Sequence, residues 1–192
     1  MTTIQSDAND DDEKRERQRR SLRRVQDVDL RNKIVLVRVD HNAVKDAQIS
    51  DVFRIESSIP TLYSIVERGG RPIVMTHVNR PRDKKTKTIA MDEKDGTRAI
   101  AKYLTKKLGV VFANPKVDSS LSTTKGNERE NEADAAADDD DGGIEMSQIF
   151  KDGTMQTMIK DLKERRIGGI YLPNMRWFSG EERGTEEIGI RL

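Results

Sequence analysis

The sequence predicts an α/β fold, a parallel sheet enclosed between helical layers. Three observations carry that expectation. Ile34–Val39 is a run of branched apolar residues broken only by Arg38, the composition of a strand covered on both faces. Short apolar runs of the same kind recur at Ile73–Met75, Val110–Phe112 and Ile170–Leu172. Between them lie segments whose apolar residues recur at helical spacing, and strands that alternate with helices build parallel sheets through right-handed crossovers.

The elements follow in order. After Ile34–Val39 a turn runs to Ile49, with Lys45-Asp46 as its tip. Ser50 or Asp51 caps a helix that extends to about Arg68, with Ile55, Ile59, Leu62, Ile65 and Val66 on one face. Pro60 kinks or loosens it, and Gly69-Gly70 ends it. The strand Ile73–Met75 leads into a polar, basic loop, Thr76–Lys85. A second helix is expected over Gly96–Leu108, with Ile100, Tyr103, Leu104 and Leu108 inward and Gly109 closing it. A third helix spans Met155–Arg166, ahead of the last strand, Ile170–Leu172.

Other stretches are different in kind. Met1–Arg24 is split into an acidic and a basic part and reads as a solvated arm. It interleaves no aromatic residue, which argues against base stacking and nucleic acid. Ser119–Gly143 is acidic and of low complexity, with Asp138–Asp141 at its densest. Such a segment buries too little apolar surface to offset its ordering entropy. The expected division is a disordered charged arm over 1–29 and a partial α/β domain over 30–192, with an acidic disordered insertion over 119–147. Ser179–Leu192 is polar, with no obvious partner.

Composition narrows the function. Of 192 residues, 34% are hydrophobic, 36% charged and 4% aromatic, with net charge +1. That lean core fits a chain that is not packed throughout, and the charge gives no global field toward nucleic acid or membrane. Without cysteine there is neither disulfide nor thiolate chemistry. No apolar run approaches the roughly 20 residues needed to span a bilayer, and no signal peptide is evident, so a cytoplasmic protein is expected. G-x-x-x-x-G-K-[ST], G-x-G-x-x-G and G-x-S-x-G are all absent from the sequence. Two histidines without cysteine argue against a zinc site, and no metal site is expected.

The candidate site comes from the strand exits. In open α/β sheets, ligands bind beyond the carboxyl ends of the strands. There the chain delivers Asp40 and Asn42, then His77 and Arg80, then Arg176, while Arg54 starts the first helix near the same edge. Guanidinium forks match phosphate and carboxylate oxygens, and a carboxylate with an amide suits a hydroxyl. The implied ligand is small, anionic and hydroxylated. Each residue also has a plain structural reading: an arginine in a surface ion pair, a hydrogen-bonded loop histidine, an aspartate capping a turn. Arg38 is read as a structural pair, and Trp177 and Phe178 as core.

Three blocks, VRVDHNAVKDAQISDVFRIESSIPTL, VMTHVNRPRDKK and YLPNMRWFSGEE, resemble the N-terminal half of phosphoglycerate kinase. The resemblance covers about Leu30–Glu182 apart from the acidic segment. It implies a Rossmann-like phosphoglycerate-binding domain, and a reaction of glycolysis or carbon fixation. That reaction takes 1,3-bisphosphoglycerate and ADP to 3-phosphoglycerate and ATP. By resemblance, Asp40 and Asn42 contact the glycerate hydroxyl region. Arg54 serves the acyl-phosphate end and the transferring group, and is the catalytic candidate. His77, Arg80 and Arg176 clamp the other phosphate, and His41, Val78 and Asn79 are candidates for flanking contacts. Mg-ATP or Mg-ADP is implied by the family through a second domain, which the chain is expected to lack, so that alone it would be inactive or nearly so. Full-length members are usually monomeric. The family's usual Phe is His41 here, its Val-Pro is Ala43-Val44, and its His-Leu-Gly-Arg is His77-Val78-Asn79-Arg80. Asn79 is the best substitute for glycine where φ is positive. The alternatives are a non-catalytic phosphoglycerate-binding or interaction paralogue and, more remotely, a charged scaffold.

Overall fold

The computed structural model describes residues 24–85, 88–117, 143–145, 149, 153–179 and 181. The expectations for the N-terminal arm, most of the acidic segment and the polar tail fall outside the described residues. Four strands form a parallel sheet: β1 (Ile34–Arg38), β4 (Arg71–Met75), β5 (Phe112–Ala113) and β6 (Gly169–Tyr171), in the spatial order β1-β4-β6-β5. Ile34 pairs with Arg71 and Arg38 with Met75, while Ile73 pairs with Ile170. The strands run in register toward one common edge, as βα units dictate.

A small hairpin, β2 (Val44–Lys45) and β3 (Gln48–Ile49), follows β1. Its tip is Asp46-Ala47, one residue later than expected, and both have positive φ, 50° and 60°, as a tight two-residue hairpin turn requires. The first expected helix is two: α1 (Val52–Glu56) and α2 (Ile59–Glu67). Asp51 caps α1 by accepting a hydrogen bond from the Arg54 amide at 3.1 Å. The chain breaks at Ser57-Ser58, so that Pro60 falls in the first turn of α2, where a missing N–H costs nothing. Gly69, at φ +80°, turns the chain into β4. Helix α3 (Arg98–Leu108) ends at Gly109, φ +68°, and α4 (Thr154–Lys163) precedes β6.

The core has two parts, one on each side of the sheet. Ile55, Leu62, Val74, Ile100, Leu104 and Tyr171 belong to one. Ile73, Ile144, Met155, Leu162, Ile170 and Phe178 belong to the other. Trp177 and Phe178 are core residues as expected, and Gly143–Glu145 joins the fold through an Ile144–Phe178 bridge.

Three further expectations are corrected. β1 lies at the border of the sheet, and Ile34 and Leu36 are 41% and 38% exposed, so the strand is not covered on both faces. Val66 lies off the buried stripe of α2, at 41% exposure. Val110 and Val111 are exposed and β5 begins only at Phe112. An unbroken apolar run carries no period from which to choose its paired residues. Among the described residues no helix is long and apolar enough to cross a membrane.

Candidate functional site

The exits of β1, β4 and β6 are stitched together by main chain. The Val39 amide donates to the Met75 carbonyl at 3.0 Å, Leu172 to Val74 at 2.8 Å, and Met175 to Thr76 at 3.0 Å. Thr76 adds a side-chain link: its hydroxyl donates to the Val39 carbonyl at 2.9 Å and accepts from the His41 amide at 3.0 Å. The loops that leave the sheet are thereby fixed before any charged group is placed.

Three asparagines then shape the edge. Asn174 is fully buried. Its Oδ1 accepts from the amides of Val78 (3.0 Å) and Arg176 (3.1 Å), and its Nδ2 donates to the carbonyls of Val78 (2.8 Å) and Asp95 (3.0 Å). Asn79 takes φ +52°. Its amide donates to Asn42 Oδ1 at 2.8 Å, and its Nδ2 donates to Asp95 Oδ1 at 2.7 Å. Asn42 thus ties the β1 exit to the β4 loop, and what it offers a ligand is chiefly its NH₂ group.

The charged groups surround this lattice. Arg54 Nη1 reaches both carboxylate oxygens of Asp40 at 3.3 Å, and its Nε lies 3.7 Å from Asp51. His77 is half-buried. Burial, then the neighbouring Arg176 charge, holds its imidazole below the usual histidine range, while Asp40 and Glu181 pull the other way. Arg176 Nη1 donates to the Asn79 carbonyl. Arg80 is exposed on the loop that carries His77. Arg38 pairs with Glu181 at 3.6 Å, the structural pairing expected of it. A cleft of about 340 Å³, lined by Arg38, Asp40, Arg54, Ser58 and Thr61 among others, opens between β1 and the α1–α2 break.

Of the residues singled out in the sequence, Asp40, Arg54, His77 and Arg176 therefore gather at one edge. The flanking candidates His41, Val78 and Asn79 are set back from the charged groups, with His41 at the wall of the cleft. Val78 and His41 have no exposed surface, and Asn79 is engaged in holding the loop. The sequence reading passed over Thr76, Asn174 and Tyr171. Asn174 had a signal, since an Asn right after a strand and Pro is a frequent local cap. Its side chain does accept from the Arg176 amide, at the start of a short 3₁₀ turn.

His41 has its own setting. Its Nε2 lies 2.9 Å from the Ser58 hydroxyl and its Nδ1 lies 2.7 Å from the Tyr171 hydroxyl. Ser58 Oγ donates to the Ile55 carbonyl at 2.9 Å. Its proton is thus in use, and Ser58 accepts from Nε2–H. Nδ1 is then the acceptor for the Tyr171 proton, and each group in the chain is paired. Burial pushes the His41 imidazole down to about 4.

Fold and edge together define an open, parallel α/β protein that collects arginines, a histidine and a carboxylate beyond its strand ends. The sequence matches the family model for phosphoglycerate kinase over residues 25–192, and the chain belongs to the phosphoglycerate kinase family. Phosphoglycerate kinase of Francisella philomiragia is 52% identical over 58 residues, 30% of this chain and 15% of that protein. Phosphoglycerate kinase of Coprothermobacter proteolyticus is 40% identical over 72 residues, 36% of this chain and 18% of that one. Among solved structures, phosphoglycerate kinase from Coxiella burnetii superposes with a TM-score of 0.52 at 21% identity, covering 87% of this chain and 31% of that chain. The match to each of these proteins thus spans well under half of its length.

Proposed function

We propose that this chain carries the phosphoglycerate site of a phosphoglycerate kinase, the enzyme that takes 1,3-bisphosphoglycerate and ADP to 3-phosphoglycerate and ATP. The observation that carries the reading is the convergence of Asp40, Arg54, His77 and Arg176 from separate βα units at one strand edge. Guanidinium forks donate to phosphate and carboxylate oxygens. In this reading His77, Arg80 and Arg176 hold the phosphate that stays on the glycerate. Asp40 and the Asn42 NH₂ meet the glycerate hydroxyl.

Arg54 faces the acyl-phosphate end. Its pairing with Asp40 through both oxygens sets its direction before ligand arrives. As the bond between phosphorus and the carboxylate oxygen breaks, Arg54 offsets charge on the transferring group. Positioning and charge stabilisation are what phosphoryl transfer asks of a protein. The Mg-nucleotide, when bound, supplies the phosphoryl acceptor. The described residues hold no group of three His, Cys, Asp or Glu able to ligate a metal, and the cations at this edge suit ligand oxygens. A monomer in the cytoplasm is the setting that goes with this reading.

Calorimetry with 3-phosphoglycerate tests it. Wild type is expected to bind, and Arg80→Ala with Arg176→Ala to weaken binding at least tenfold. Equal binding by the double variant would sink the clamp. A coupled assay for ATP formation separates a kinase from a protein that binds phosphoglycerate without turnover.

A further inference from the structure

The buried imidazole of His41 has no place in the substrate reading, although it stands between two of its residues. Its ring joins three elements that are far apart in sequence: the β1 exit, the α1–α2 break through Ser58, and β6 through Tyr171. Its backbone amide adds the β4 exit through Thr76. The rings of His41 and Tyr171 also stack, with centroids 6.0 Å apart and planes 19° from parallel.

The consequence falls on Arg54. Helix α1 is a single turn and a half, too short to hold its own direction. Its C-terminal end is fixed by the Ser57 amide on the Phe53 carbonyl (3.0 Å) and by Ser58, whose amide (3.2 Å) and hydroxyl (2.9 Å) both reach the Ile55 carbonyl. The other side of that hydroxyl is held by His41 Nε2–H. The residue next to Asp40 thus grips the turn that follows Arg54. A phenyl ring in the same place would fill the space and grip neither Ser58 nor Tyr171. Buried polar groups are found paired, and here the buried His41 and Tyr171 pair with each other and with the part-buried Ser58.

The geometry points to His41 as a positioning residue, one that anchors α1 through Ser58 and so holds Arg54 against Asp40 for an acidic, phosphorylated ligand. This rests on the substrate reading above. The polar pair His41–Tyr171 makes one unit, since loss of either partner strands the other.

The test uses the full chain with His41→Phe and Tyr171→Phe together, which removes both polar groups and leaves none of the pair unpaired. Amide exchange by NMR is read at Ser57 and Ser58 and, for reference, at Ile73–Met75. Binding of 3-phosphoglycerate is read by calorimetry. The expected result is exchange at least tenfold faster at Ser57 and Ser58, unchanged exchange in β4, and binding about fivefold weaker. Unchanged exchange after the helix turn overturns the anchor. Faster exchange with undiminished binding overturns the positioning role. If wild type binds no 3-phosphoglycerate, the substrate reading fails by itself, and the exchange comparison still decides whether His41 holds the helix.

Discussion

The strand edge divides into a buried lattice and an exposed rim, and the two are built from different chemistry. The lattice is neutral apart from the buried Asp95 carboxylate that Asn79 holds: Asn42, Asn79, Asn174, Thr76, His41 and Tyr171 bond to main chain, to Asp95 and Ser58, and to each other. The rim carries the charge: Asp40, Arg54, Arg80 and Arg176, with the half-buried His77 held below the usual histidine range beside them. Amides and hydroxyls pair donors with acceptors without a Born penalty, so they can be buried when each bond is made. Guanidiniums and carboxylates lose more on desolvation, and all but Asp95, which Asn79 pairs, stay where water or an incoming anion can reach them. The contrast implies that the lattice fixes the loops and leaves the rim free for the proposed ligand. Substitutions in the lattice should therefore act on stability, and those in the rim on binding.

The largest effect is expected at Asn174. Asn174→Ala strands the Val78 amide and carbonyl, the Asp95 carbonyl and the Arg176 amide, at a position with no exposed surface. Each buried unpaired group costs about 1–3 kcal/mol, reduced by whatever relaxation admits water. A net loss of about 3 kcal/mol is expected in urea unfolding. A loss below about 1 kcal/mol would mean that the loops hold themselves and the lattice is incidental.

The second is a pH dependence. His41 is held neutral in the fold, with its imidazole pushed to about 4 by burial, against about 6.5 in an unfolded chain. Between those values the unfolded state binds a proton that the folded state refuses, so stability falls as pH drops from about 6.5 toward 4. By pH 4.5 the loss from this group is about 2–3 kcal/mol. The His41→Phe, Tyr171→Phe double variant lacks this group. Its stability should fall less steeply over that window than wild type, leaving only the slope from carboxylates. Parallel curves would show that His41 is charged in the fold and that its environment is not the dry one described.

Much of the fold could be read from the sequence, because strand runs, helical stripes and glycine stops are local signals. Asp51 as a cap, Gly69 and Gly109 as stops and Asn79 at positive φ all follow from single residues and their neighbours. The misreadings are where the answer depends on what lies alongside. Ile34 and Leu36 look like a buried strand, but their exposure is decided by β1 lying at the border of the sheet. Val110-Val111-Phe112 is uniformly apolar, and only pairing with β6 selects Phe112 as the start. Within the site, residue types were legible and duties were not. Asn42 and Asn79 were visible as polar groups at strand exits, yet their bond to each other joins two separate βα units. The partners of His41 stand at Ser58 and Tyr171, and no spacing rule connects them.

The smallest effect on stability sharpens the comparison from the rim side. Asp40 and Arg54 form the most direct ion pair at the edge, with 69% and 42% of their side chains exposed. Exposed pairs contribute about 0–1 kcal/mol, because water screens the attraction and ordering two side chains offsets the rest. Asp40→Asn should therefore change unfolding free energy by no more than about 0.5 kcal/mol. The same change removes the carboxylate that directs Arg54 and that, in the proposed reading, accepts from the glycerate hydroxyl, so 3-phosphoglycerate binding should weaken several-fold by calorimetry. A variant that loses stability like a lattice residue, or binds as wild type does, would erase the division between the two regions. If stability is kept and binding is lost, Asp40 stands on the ligand side of that division even though it is bonded to a neighbour.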